Sequence, residues 1–222
     1  MSEINDIIKT YRIKFEKTGM MKYISHLDLN RLFSRALARA KIDVAHTEGF
    51  NPKPKIVFAS AISLGIESLC EFANIKINEP ETGSLTRTDI LEKKKDVFPD
   101  GLNILDVYEP TDDFKNIDRT RFHVFVKPVD DFEVDELKKL FDGDVFVEKK
   151  PGVEINLKDY VTEFNISGKS QEYYIIDAVL KSNQEMFLNP ENIIKAVGTK
   201  YIIDDYFIRK VETYNKNNEI FM

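Results

Sequence analysis

The stretch Glu109-Pro110-Thr111-Asp112-Asp113, running on to Asp118, constrains the fold more than any other feature of the sequence, because it is polar, acidic and opened by a proline. It divides a chain of 222 residues into halves of similar size. Each half, residues 1–112 and 119–222, is long enough to bury a core of its own, so two tandem domains are expected.

The first half reads as strand, helix, strand, strand, helix, strand. Tyr11-Arg12-Ile13-Lys14-Phe15 alternates in the strand manner, Thr18-Gly19 marks a turn, and Met21 to Ile24 resumes an extended stretch. Ser25-His26-Leu27-Asp28 fits a capping box with Ser25 as N-cap. Leu29, Leu32, Phe33, Ala36, Leu37 and Ala40 then share one face, which predicts a helix over about residues 26–41. Lys55 to Ala61 and Glu71 to Asn78 read as strands, Leu85 to Lys95 as a second helix, and Leu102 to Glu109 as a closing strand. The second half repeats this order with one extra strand: Arg121–Lys127, a helix near Glu133–Phe141, Val145–Lys149, Tyr160–Ser167, Tyr173–Lys181, a helix at Pro190–Val197, and Tyr206–Tyr214. The expected class is α+β, with two tandem ferredoxin-like domains, each an antiparallel sheet with two helices on one face.

Apolar residues at 42% and charged residues at 32% exclude a disordered or collagen-like chain. The lone cysteine, Cys70, excludes an internal disulfide framework, a zinc finger, and an iron–sulfur cluster held by this chain's cysteines alone. It fits a reducing, cytoplasmic setting. Residues Met1 to Arg12 carry acids and lack the basic start and apolar run of a secretory signal, and no window approaches the roughly 20 apolar residues of a membrane span. No cofactor, metal site or membrane partner is expected.

The net charge of −6 conceals an asymmetry. Residues 1–60 hold eleven Lys and Arg against six Asp and Glu, which leaves 21 against 32 for residues 61–222. A local basic excess suits an anionic partner, although a solvated face gives the same count. Arg31, Arg35 and Arg39 recur at four-residue spacing on the polar side of the first predicted helix, a guanidinium stripe that suits phosphate and that an ordinary solvated face also produces. Glu48-Gly49-Phe50-Asn51-Pro52-Lys53-Pro54-Lys55 is a loop freed by glycine, stiffened by prolines, and carrying a ring beside lysines, the combination that holds single-stranded nucleic acid by stacking and phosphate neutralisation. The plainer alternative is that Phe50 plugs into the core. His26 and His46 fall in the same region and read as a candidate acid–base pair near one end of the helix, with no third ligand or nucleophile at a diagnostic spacing. His123, on the strand Arg121–Lys127, is tied to neither.

The run K-T-G-x-x-x-Y-I-S-H-L-D-L-x-R-x-F-x-R-A-L-x-R-A, followed by E-G-F-N-P-K-P-K-I-x-F-A and L-G-I-E-S-x-x-E-F, resembles the bacterial radical-SAM-linked proteins, a domain of unknown function. The resemblance spans Lys17 to about Ile77. It highlights Ser25, His26, Leu27, Asp28, Arg31, Arg35, Arg39, Gly49, Phe50, Asn51, Pro52, Gly65, Glu67, Ser68 and Glu71, none with a catalytic role to transfer. Lys53 stands where histidine is often found, and Thr47 where serine is usual.

Such modules are fused behind a radical S-adenosylmethionine (SAM) domain or encoded beside such an enzyme, and this chain is read as the separate form. With Cys70 alone it lacks the C-x3-C-x2-C set that the cluster needs. The resemblance therefore implies a non-catalytic accessory that binds RNA or presents a substrate to a radical SAM enzyme. The candidate contacts are His26, Arg31, Arg35, Arg39, Phe50, Asn51, Lys53 and Lys55. Two alternatives stay open: a metal-independent RNA endonuclease using His26, and a scaffold that docks a partner through its acidic second half.

Overall fold

The computed structural model of the chain describes residues 7–60, 62–79, 92 and 97–222. Apart from Glu92, the helix expected at Leu85–Lys95 lies outside them. The chain is mixed α+β, with mostly antiparallel sheet and few helices. It divides into two compact units, one comprising Met1–Asp112 with Met222 and the other Asp113–Phe221. Among the described residues no helix is long and apolar enough to cross a membrane.

In the first unit the elements are β1 (Ile7–Lys17), a 3-10 turn (Gly19–Tyr23), α1 (His26–Arg39), β2 (Ile56–Phe58), β3 (Glu67–Glu79) and β4 (Leu102–Tyr108). Strand β1 pairs antiparallel with both β3 and β4, and β2 pairs antiparallel with the far side of β3, giving the order β4-β1-β3-β2. Alternation sends Tyr11, Ile13 and Phe15 to the same buried face as Ala73, Ile75 and Ile77. Helix α1 lays Leu29, Phe33, Leu37 and the following Ala40 onto that core. The Phe33 ring meets Phe15 at 4.9 Å and both Phe58 and Phe98 at 5.1 Å between centroids, packing worth more than its buried area alone.

The stretch Met21–Ile24, expected to be extended, instead lies within and just after the 3-10 turn. A run this short has no periodicity to separate the two conformations. Around this turn the motif residues are structural. Thr18 N–H donates to the Gly101 carbonyl at 2.7 Å, Gly19 N–H to Glu67 Oε1 at 3.1 Å, and Gly65 N–H to the Lys22 carbonyl at 2.9 Å. Ser68 Oγ donates to Glu71 Oε1 at 2.7 Å, and both residues are buried, as is Lys17 across from Ser68.

The second unit runs β5 (Ile117–Pro128), α2 (Val134–Asp142), β6 (Phe146–Lys150), β7 (Val153–Asn156), β8 (Val161–Ser170), β9 (Tyr173–Lys181), α3 (Glu191–Val197) and β10 (Ile203–Asn215). Its main sheet has the order β10-β5-β9-β8, antiparallel throughout. The strand expected at Val145–Lys149 belongs to a hairpin, β6 with β7, that forms a two-stranded sheet of its own. Phe122, Val124, Val126, Ile176 and Ala178 face the core. Helix α2 covers this face, since its Phe141 stacks at 3.9 Å on Phe164, the cross-strand partner of Ala178. The expected linker is partly regular: a 3-10 turn occupies Phe114–Asn116 and β5 begins at Ile117.

A basic excursion tipped by Phe50 as the candidate site

The outer edge of the first unit's sheet is made of two pieces of chain separated by a projection. Asn78 N–H donates to the Asp43 carbonyl at 2.9 Å, Val44 bridges Ile77, and Ala45 N–H donates to the Lys76 carbonyl at 2.8 Å. Pairing with β3 resumes at the Lys55 carbonyl and runs on from Ile56, opposite Ile75. Residues 46–54 therefore leave the edge as a hairpin-like excursion, and the strand expected from Lys55 to Ala61 is shortened to Ile56–Phe58, with Ala61 outside the described residues.

The shaft of the excursion is closed by His46 bridged to Pro54, by Thr47 N–H donating to the Lys53 carbonyl at 2.8 Å, and by Lys53 N–H donating to Thr47 Oγ1 at 3.0 Å. Threonine at position 47 supplies this bond with its hydroxyl. Gly49 turns the tip at φ +117°, a conformation that suits glycine. Phe50, beside it, has a relative exposure of 112%. Its ring is not in the core; it stands clear of the protein. Asn51, Pro52 and Lys53 are exposed and Lys55 is half-buried.

Arg31, Arg35 and Arg39 all face solvent on α1. Arg31 Nη1 bonds Asp28 Oδ1 at 3.0 Å, and Arg39 Nη2 donates to the Val97 carbonyl at 2.5 Å. Arg35 has no partner among the described residues. The start of α1 is capped as the sequence indicates, with Asp28 N–H donating to Ser25 Oγ at 3.1 Å. The return bond differs from a capping box, because the Ser25 hydroxyl donates to Asp28 Oδ2 at 2.7 Å. That hydroxyl, and after it Arg31, hold the Asp28 carboxyl below its usual range.

The two histidines make separate contacts. His26 sets its ring edge against Phe58 at 5.4 Å, whereas His46 bridges Pro54 at the foot of the excursion. Among the described residues no hydrogen bond or ring contact joins them, and no group of three or more His, Cys, Asp or Glu side chains is placed to hold a metal.

Register adds a residue that local pattern did not single out. Lys76 N–H donates to the Lys55 carbonyl at 3.1 Å, which brings exposed Lys76 of β3 to the foot of the excursion beside Lys55. The only sequence signal was a lysine inside a predicted strand; the pairing that makes it relevant is long-range.

Together the fold and this projection define an α+β protein that carries an aromatic tip and a basic shaft on a sheet edge. The chain matches the family described as "Uncharacterized protein conserved in bacteria (DUF2344)" over residues 10–190, and it belongs to that family. The match reaches well beyond Ile77, into the second unit. No curated protein matches. Among solved structures, the archaeal box H/ACA sRNP Nop10-Cbf5 complex is similar at a TM-score of 0.45 and 6% identity, over 90% of this chain and 46% of that one. A Cbf5-Nop10-Gar1 complex is similar at 0.47 and 6%, over 91% and 48%. An unknown protein from Galdieria sulphuraria is similar at 0.28 and 10%, over 92% and 99%. The chain thus spans about half the length of the first two.

Proposed function

We propose that this chain is a non-catalytic RNA-binding or substrate-presenting module that works in the cytoplasm beside a radical SAM enzyme, and that both of its units are ferredoxin-like. The observation that carries the reading is the Phe50 ring, fully exposed on a closed, proline-stiffened excursion with His46, Lys53, Lys55 and Lys76 along its shaft and foot. An exposed aromatic ring stacks on an unpaired base for about 1–3 kcal/mol whatever the base, and neighbouring lysines neutralise phosphate. Stiffness matters because little entropy is lost when the tip engages.

The ferredoxin-like reading is supported in each unit by the antiparallel order fourth, first, third, second, counted along the unit's main-sheet strands. The partnership rests on the resemblance of residues 17–77 and on Cys70, one buried cysteine where the cluster needs three.

A gel-shift titration with total tRNA and ribosomal RNA fragments at about 50 mM salt tests the reading, since binding through lysines falls steeply as salt rises. Retention that collapses by about 200 mM salt is expected. Absence of retention at the lower salt sinks the nucleic-acid reading.

A further inference from the structure

A relative exposure of 112% at Phe50 means that nothing in the fold covers either face of the ring. Among the described residues the other exposed aromatic rings, Tyr23, Phe146, Phe187 and Tyr206, keep roughly half of their surface covered. Phe50 also lies midway between the bridged residues His46 and Pro54. Four residues at a strand's rise of about 3.3 Å carry the tip at most about 13 Å beyond that bridge. Gly49 at φ +117°, Pro52, Pro54 and the paired Thr47–Lys53 bonds hold it there.

Charge is distributed behind the ring. Lys53 stands on the shaft, and Lys55 and Lys76 at its foot, none of them in an ion pair among the described residues. Glu48 is the one carboxylate of residues 46–54. The excursion therefore presents an uncovered ring in front and unengaged cations to the rear.

We propose that Phe50 is an intercalating wedge, which enters between two neighbouring bases of a structured RNA at a bulge or loop-closing step. The inference rests on the reading that the chain binds RNA, and it names the class of RNA. A ring lying on a protein surface receives one base, whereas a ring free on both faces is sandwiched between two. Surfaces that track an unpaired strand line up several rings, one for each successive base. Phe50 is the only phenylalanine, tyrosine or tryptophan of residues 46–54, so the excursion serves a single step. Apolar side chains driven between base steps must first unstack them, and that costs least where a base is already unpaired. The lysines then neutralise the phosphates flanking the opened step. Because the shaft is closed and stiff, the ring is pressed into the stack without the loop yielding.

The test uses the full chain with a perfect RNA hairpin, the same hairpin carrying a one-nucleotide adenosine bulge, and an adenosine single strand of equal length, at about 50 mM salt. Anisotropy gives the affinities, and 2-aminopurine beside the bulge reports unstacking by a rise in fluorescence. The proteins are the wild type, Phe50→Ala and Phe50→Trp, with thermal melting as the check on folding. The wild type is expected to bind the bulged hairpin about tenfold more tightly than either other RNA and to raise the 2-aminopurine signal. Phe50→Ala should bind all three alike and leave the signal flat, while Phe50→Trp keeps the preference for the bulge.

Equal wild-type affinity for the three RNAs, or tighter binding to the single strand, overturns the wedge and leaves the RNA reading standing. A flat 2-aminopurine signal at saturating wild-type protein does the same, since the ring then stays outside the stack. A bulge preference that survives in folded Phe50→Ala also overturns it, because some other group reads the bulge. If Phe50→Ala leaves every RNA affinity intact and loses the partner enzyme instead, the ring is a protein contact and the wedge falls. Should the wild type bind none of the three RNAs, the wedge and the RNA reading fall together.

Discussion

The guanidinium of Arg12, with no solvent exposure, donates from Nη1 to the backbone carbonyl of Met222 at 2.6 Å, joining residues 210 positions apart. Nη2 donates to the Asp112 carbonyl at 2.7 Å and Nε to Asn74 Oδ1 at 2.9 Å, so the fork ties three distant segments of the first unit to β1. Truncating it takes the donor from three partly buried acceptors at once. Arg12→Ala should lower unfolding free energy by about 3 kcal/mol or more, and Arg12→Lys should recover only part of this because an ammonium has no fork. Urea unfolding measures both; a loss for Arg12→Ala below about 1 kcal/mol would show that the bonds contribute little beyond hydration.

The same residue shows how far the sequence carries. That Tyr11–Phe15 is a strand follows from local alternation, but the burial of Arg12 depends on partners 62, 100 and 210 positions away. The loop Glu48–Lys55 is legible from its glycine and prolines. Its departure from the middle of a sheet edge is not, because Asp43–Ala45 is too short to show a period of two. Gly101 stands at φ +84°, where an added Cβ would lie 2.5 Å from the Thr18 carbonyl oxygen. No local pattern marks a constraint set by a residue 83 positions earlier. In the second unit alternation along β5 separates two faces, but the Phe125–Phe207 stack exists only once the register with β10 is set.

Tyr108 provides a pH signature. Its hydroxyl is buried with no hydrogen-bond partner among the described residues. Burial pushes its pKa from 10.0 up to about 12, against the opposing pull of Arg12. A raised folded-state pKa means that the neutral form is favoured by folding. The contribution is complete below pH 10 and is lost as pH rises through about 12. Wild-type stability should therefore fall below that of Tyr108→Phe progressively across this window. At pH 7 the variant should be equal to the wild type or up to about 1 kcal/mol more stable, since it removes an orphan hydroxyl. Curves for the two proteins that stay parallel from pH 9 to 12 would contradict the assignment.

The cap on α1 couples two measurable quantities. Ser25 receives the Asp28 amide and donates to the Asp28 carboxylate, so Ser25→Ala should cost about 1 kcal/mol and also raise the Asp28 pKa toward its usual value. Because the folded-state pKa is depressed, the carboxylate's contribution is present above 3.8 and lost as pH falls through the lower folded value. Carbon-detected NMR titration of the Asp28 carboxyl in both proteins reads the shift directly. An unchanged Asp28 titration in Ser25→Ala would mean that Arg31, not the cap, holds the carboxyl down.

Phe50 and Lys53 separate binding from folding. A ring with full exposure gives up no packing when removed, so Phe50→Ala should change stability by no more than about 0.5 kcal/mol. Its RNA affinity should nonetheless fall about tenfold, because the stacking partner is gone while the cations remain. Lys53 holds the excursion through its backbone, donating to Thr47 Oγ1 and accepting from Thr47 N–H, so Lys53→Ala keeps the shaft closed. That variant should weaken binding to all RNA sequences alike and reduce the slope of log affinity against log salt by about 1. The two single variants thus move different observables, affinity at constant slope for the ring and the slope itself for the cation. A Phe50→Ala protein that binds as the wild type does would leave the exposed ring without a role in RNA contact and return the site to the lysines alone.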